Sequence, residues 1–337
     1  METKNSTWVI FFIAILSWAI VFIGLINYRI QIFYSSSTIW HHFYQNDVAD
    51  NKLVVQSSQV LGTTNWMKQM EDRYHILNEN VKKICKKYKK GNYSRVPITN
   101  ILVDKRNHLA YCPNAKVGST AWMLHFNNLL PEKERLWDGK GGLSNLKRWQ
   151  IYSNLKPKEL FSSNHINLTS EFISRSIFDK FARLYDLTTF TFVRHPFERL
   201  VSCYNDKMIR FDLPRSFSGF VARRVLNETF NRGQDHWMPF VESCNHCDVP
   251  YNVIGRAETF DEDVKYIILK NNLDKLLNSK ATMNSHIHQS KHDTKTETIK
   301  YFAQLNKTQI QRLYKKYRMD FELFGYDIDI YLNENNK

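Results

Sequence analysis

A short uncharged run of threonine, phenylalanine and valine, Thr189–Val193, constrains the fold more than any other segment. Its β-branched and aromatic residues suit a buried strand. Pro196 follows three residues later and suits a first helical turn, and an amphipathic helix continues to about Arg210. Leu109–Cys112 (LAYC) repeats the theme: a strand, a loop, then a helix from about Ser119 to Leu130. Glu159–Ser162 reads as another short strand and Glu171–Tyr185 as a helix. Strand–loop–helix twice over, with a helix between, predicts an α/β layered domain on a central parallel sheet. Hydrophobic residues make up 43% of the 337, enough for a core of that size.

The amino-terminal end is of another kind. Trp8–Ile26 carries no charge over nineteen residues, roughly 28 Å of helix, close to the hydrocarbon thickness of a bilayer. A cleaved signal peptide has a shorter apolar run and a small-x-small cleavage site. Residues 8–26 therefore read as an uncleaved transmembrane signal anchor, with residues 1–7 as a cytoplasmic tail. Residues 27–90 are polar, without sustained periodicity, and read as a partly helical stem; residues 91–337 form the lumenal domain. Sequons at Asn92, Asn167, Asn227 and Asn306 agree with a lumenal placement, and all five cysteines lie beyond the anchor. Lysine and arginine exceed the acids by 47 to 33, a net charge of +14, which suits an anionic partner. The anchor and sequons argue against nucleic acid. The basic run Val81–Lys90 (VKKICKKYKK) reads as a solvated face or as a rim for an acidic polymer.

Three blocks carry chemistry. Ala115–Trp122 (AKVGSTAW) stands where a strand ends and a helix begins. First-turn amides bind phosphate or sulfate, and Gly118 lets the backbone come close. Ser119 and Thr120 add hydroxyls, and Lys116 adds a mobile charge. The order is not that of a Walker loop, because the lysine precedes the glycine; an ordinary capped helix is the competing reading. Phe192–Ser202 (FVRHPFERLVS) puts Arg194 at the carboxyl end of the buried strand, the edge where open α/β sheets bind ligands. Its planar fork suits phosphate, and Ser202 follows two turns into the helix. Glu198 and Arg199 read as an ion pair or cap holding that helix on the sheet. In the third block, Asp235-His236-Trp237-Met238-Pro239, His236 is a candidate general base. Cys244-Asn245-His246-Cys247 has a superficial zinc spacing but lacks a second ligand pair, and an oxidising compartment favours a local disulfide.

Together these blocks resemble the membrane-bound carbohydrate sulfotransferase family that includes chondroitin and dermatan 4-O-sulfotransferases. YCPNAKVGSTAW is similar to its 5′-phosphosulfate loop, FVRHPFERLVS to its 3′-phosphate segment, DHWMPFVESCNHCDVPYNVIGRAETFDED to its third block and YRMDFELFGYD to its carboxyl-terminal signature. The likeness runs from about Cys85 to Asp327. Ala115 stands where the family usually has proline, and Cys203 where a small residue is common. The resemblance implies a P-loop-kinase-like domain and 3′-phosphoadenosine 5′-phosphosulfate (PAPS) as donor. It implies a glycan or proteoglycan acceptor, a Golgi membrane location with a lumenal catalytic domain, and no metal. Donor contacts are then expected from Lys116, Val117, Gly118, Ser119, Thr120, Arg194 and Ser202. Lys116 and His236 are the expected catalytic groups, with His165 as second candidate base. It also implies disulfides Cys85–Cys112 and Cys244–Cys247, with Cys203 as the odd thiol. A non-catalytic, membrane-anchored binder of acidic glycans is the alternative.

Overall fold

The computed structural model describes residues 50–89, 96–97, 100–137, 151, 155, 172–207, 214–227, 234–277 and 294–332. The proposed tail and anchor, the strand expected at 159–162 and His165 lie outside the described residues. Among the described residues no helix is long and apolar enough to cross a membrane. The chain divides into two compact units, Met1–Trp66 and Met67–Lys337. Of the first, only the opening turns of a long helix, α1 (Asp50–Lys87), are described.

In the second unit α1 turns Met70, Tyr74, Val81, Ile84 and Cys85 inward, a helical spacing that makes one apolar stripe. Lys82, Lys83, Lys86 and Lys87 stay exposed on the outer face of this docked helix. Asn78 donates to Tyr251 O at 3.0 Å, and Asn80 to Glu322 O and Leu323 O at 2.8 Å.

β1 (Val96–Pro97) pairs antiparallel with a later strand, β4 (Phe172–Ile173). Between them lie β2 (Leu102–Asp104), β3 (Leu109–Cys112) and α2 (Ser119–Leu129). After β4 come α3 (Arg175–Leu184), β5 (Thr188–Val193), α4 (Pro196–Lys207) and α5 (Phe217–Phe220), which runs into a π-helical turn. The chain continues through α6 (Phe240–Ser243), β6 (Val253–Arg256), α7 (Phe260–Lys270), α8 (Thr294–Phe302), α9 (Lys307–Phe324) and α10 (Asp329–Leu332).

The main sheet has the order β2-β3-β5-β6. It is mixed, not wholly parallel as the sequence suggested. β3, β5 and β6 run parallel, with Cys112 opposite Thr191 and Val193 opposite Arg256, but β2 is antiparallel to β3. The reason is the four-residue turn between β2 and β3. Asp104 accepts from the backbone and side chain of Asn107, and His108 takes φ +58°, so the chain can only fold straight back.

Aromatic side chains dominate the core. Phe190 stacks on Tyr111 at 4.7 Å and meets Trp122 of α2 at 4.4 Å between centroids. Trp122 is fully buried, and its truncation to alanine would cost about 3–5 kcal/mol. A second cluster joins Phe197 and Leu200 of α4 to Phe220, Trp237, Phe302 and Tyr317.

The disulfides correct the expected pairing. Cys85 bonds to Cys247 and Cys112 to Cys244, while Cys203 is free and buried. Cys244 ends α6 beside the end of β3, and Asn245 then takes φ +43°, so Cys247 is presented to α1 instead. Four cysteines allow three connectivities, and only the packing of α1 and β3 against this turn selects one.

Candidate active site

The loop from Pro113 to Gly118 leaves the carboxyl end of β3 and is fastened at each step. Asn114 is buried and donates to Phe192 O at 3.0 Å, and it accepts from Ser243 Oγ at 2.5 Å. The Ala115 carbonyl accepts from Arg199 Nε at 3.2 Å, and the Lys116 carbonyl from Arg194 Nη1 at 3.5 Å. Lys116 has φ +70° and Gly118 φ +83°, so the chain turns through the left-handed region twice before α2 begins. At Gly118 a β-carbon would lie 2.2 Å from the Phe260 ring, so only glycine fits. No side chain caps α2 and no acid stands in its first turn. A helix end of that kind suits an anion. Val117 is buried and can contribute only backbone, while Ser119 and Thr120 are half-buried at the helix entrance.

α4 runs along this loop. Arg199 meets Ala115, and Asp206 Oδ2 lies 3.1 Å from Lys116 Nζ. These two positions are seven residues apart, two helical turns, and Ser202 falls between them on the same face. Ser202 itself is half-buried on that face. Arg194 pairs with Glu198 at 3.8 Å, and Tyr331 reaches Glu198 at 3.4 Å. His195, next in sequence, is structural: Nδ1 accepts from Phe197 N, so Nε2 donates to Asp327 O at 2.9 Å. Burial holds its pKa below the ordinary value despite that bond.

Arg199 joins the three blocks. It is buried, sits 4.1 Å over the Phe240 ring and donates to the carbonyls of Ala115, Met238 and Asp235. The backbone beside Lys116 and the backbone beside His236 thus meet at one guanidinium. His236 closes a 3₁₀ turn, with Nδ1 2.9 Å from the Asp235 carboxylate. The adjacent His236 ring outweighs burial and holds Asp235 below the usual carboxylate range.

Charge in the loop is balanced locally. Burial lowers the pKa of Lys116, with Asp206 acting against it. Burial would raise Asp206, but hydrogen bonds and charge from Lys207 and Lys116 overcome it and bring the carboxyl down to about 2. Sequence reading missed Asp206, Asn114 and Phe260. Asp206-Lys207 was within reach as a charged pair one turn past Ser202; nothing local marks Asn114 or Phe260, whose partners are distant in sequence. Among the described residues no group of three or more metal-ligating side chains comes together.

A model of the sulfotransferase family matches residues 99–327, which include all three blocks. The chain is 27% identical to carbohydrate sulfotransferase 10 of Xenopus laevis, over 82% of each chain. It is 26% identical to carbohydrate sulfotransferase 10 of Homo sapiens, over 74% of each. With carbohydrate sulfotransferase 11 of Rattus norvegicus the identity is 24%, over 70% of this chain and 69% of the relative. No solved structure matches the chain.

Proposed function

The chain belongs to the sulfotransferase family, and from that membership we propose that it transfers a sulfuryl group from PAPS to a hydroxyl of a glycan. The relatives named as carbohydrate sulfotransferases support the acceptor class. A glycosaminoglycan of the chondroitin or dermatan kind is the first acceptor to try. One observation carries the donor assignment: the uncapped amino end of α2, Lys116 and Arg194 meet at a single junction, with the Arg194 guanidinium on the Lys116 carbonyl.

PAPS supplies the activated sulfuryl group and leaves as 3′,5′-ADP. The rest is positioning and charge, as in phosphoryl transfer. The amides and hydroxyls at Gly118, Ser119 and Thr120 hold the 5′-phosphosulfate, with Val117 adding backbone. Lys116 offsets the charge that grows on the phosphate oxygen as its bond to sulfur breaks. Arg194 and Ser202 hold the 3′-phosphate. As the acceptor oxygen bonds to sulfur, His236 takes its proton; Nδ1 toward Asp235 makes Nε2 the receiving nitrogen. Lys116 and Arg194 fill the cationic role without a metal.

We assign the chain to the Golgi membrane through residues 8–26, with the catalytic domain lumenal. Two long-range disulfides and exposed sequon residues Asn227 and Asn306 support an oxidising, glycosylating compartment.

The test is transfer from radiolabelled PAPS by the detergent-solubilised full-length chain across chondroitin, dermatan, heparan and N-glycan acceptors. Lys116→Ala should lower kcat more than it raises KM for PAPS. His236→Ala should lower kcat about 10²-fold or more with 3′,5′-ADP affinity kept. Glycan binding without transfer would favour the non-catalytic reading.

A further inference from the structure

Asp206 stands in the last turn of α4, and nothing in the donor-binding blocks assigns it a task. A single oxygen, Oδ2, lies 3.1 Å from Lys116 Nζ and 2.6 Å from Lys207 Nζ. We propose that Asp206 is the positioning residue for Lys116, keeping its ammonium charged and fixed beside the phosphosulfate loop until the departing phosphate oxygen takes over. The proposal rests on Lys116 being the catalytic cation.

The need for such a partner follows from the surroundings. Lys116 sits on a left-handed backbone and its side chain is only 17% exposed. A long, flexible ammonium has many rotamers to lose, and burial disfavours its charged form. Its neighbours make this worse. Lys207 comes from α4, Arg199 holds the Ala115 carbonyl and Arg194 holds the carbonyl of Lys116 itself. Cys203, also on α4, supplies no negative charge, because burial pushes its thiol up to about 12. That leaves Asp206 as the anion facing the ammonium among these groups.

The same geometry separates Asp206 from proton transfer. Held between two lysines at a pKa of about 2, it is ionised throughout the working range and is too weak a base for a sugar hydroxyl. Lys207 has a complementary part. It stays on the shared oxygen when Lys116 turns to the donor, so Asp206 is not left unpaired. The lysine then moves between two anions, one from the protein and one from the substrate, without leaving the loop.

The experiment is the pH dependence of kcat and of KM for PAPS, from about pH 6 to about pH 10, on the full-length enzyme. Asp206→Asn should lower kcat about tenfold to a hundredfold while KM changes less than about threefold. Its alkaline limb should move to lower pH, since Lys116 loses the charge that holds its proton. Lys207→Met should move that limb the opposite way, to higher pH, by removing a like charge. Asp206→Glu should recover most of the parental profile. Opposite shifts from two adjacent residues are not what a folding defect produces, and the Lys207→Met limb decides the matter if Asp206→Asn does not fold. An active parent whose limb is unmoved by either substitution overturns the proposal, as does a uniform loss across all pH. A parent chain that transfers no sulfate defeats the sulfuryl-transfer reading itself, and this one with it.

Discussion

Arg194 and Arg199 are five residues apart on one strand-to-helix segment and have opposite surroundings. Arg199 is buried, and each of its three nitrogens donates to a backbone carbonyl from a segment 36 to 84 residues away. Arg194 holds only looser contacts, 3.8 Å to Glu198 and 3.5 Å to the Lys116 carbonyl, which a phosphate can displace. The difference makes a prediction. Arg194→Ala should weaken 3′,5′-ADP binding by about 1.5–3 kcal/mol and leave 5′-AMP binding nearly unchanged. Calorimetry on both nucleotides checks it, and equal losses would remove Arg194 from the 3′-phosphate. Arg194 could be recognised from its place at a strand end. The role of Arg199 could not, because a helix-to-sheet ion pair was the nearest local explanation and its true partners are carbonyls, which carry no side-chain signature.

The strands and helices that position the site differ in how much of themselves they declare. β3, β5, α2 and α4 were legible because each combines a dense apolar run with a clear start signal, and the observed limits of α2 fall within one residue of those expected. β2 was not read: three residues show no periodicity, although Asp104 and Asn107 spell the turn that follows. β6 was hidden by Gly255, which reads as a breaker but is required because a β-carbon there would lie 2.5 Å from Phe192. Gly118 is the element-scale test. Alanine at φ +83° must adopt an unfavourable backbone and push Phe260 away from Phe192, which packs on it at 4.9 Å. The expected cost is about 2–5 kcal/mol, with loss of 3′,5′-ADP affinity. Urea unfolding of Gly118→Ala beside a nucleotide titration measures both; a variant unchanged in each would mean that the loop tolerates a side chain.

Across the whole molecule, the disulfides tie together regions that the sheet alone would leave loosely connected. Cys112–Cys244 locks the end of β3 to the third block across 132 residues, and Cys85–Cys247 locks α1 to the same turn across 162. Replacing Cys85 and Cys247 together by serine should lower stability by about 2–5 kcal/mol. Non-reducing peptide mapping should recover the two long-range peptides; a Cys244–Cys247 peptide would contradict the fold around the site. What the sequence determined by itself was local: which runs are strands, where helices begin, which lysine and arginine stand at strand ends, and that one thiol is odd. Those properties depend on periodicity, turn chemistry and residue type within a few positions. The tertiary structure alone decided the cysteine pairing, the buried Arg199 linking the three blocks and the carboxylate of Asp206 on Lys116. Each of these is a contact between residues far apart in the chain, chosen by which surfaces exclude water together, and no single stretch of sequence contains both partners.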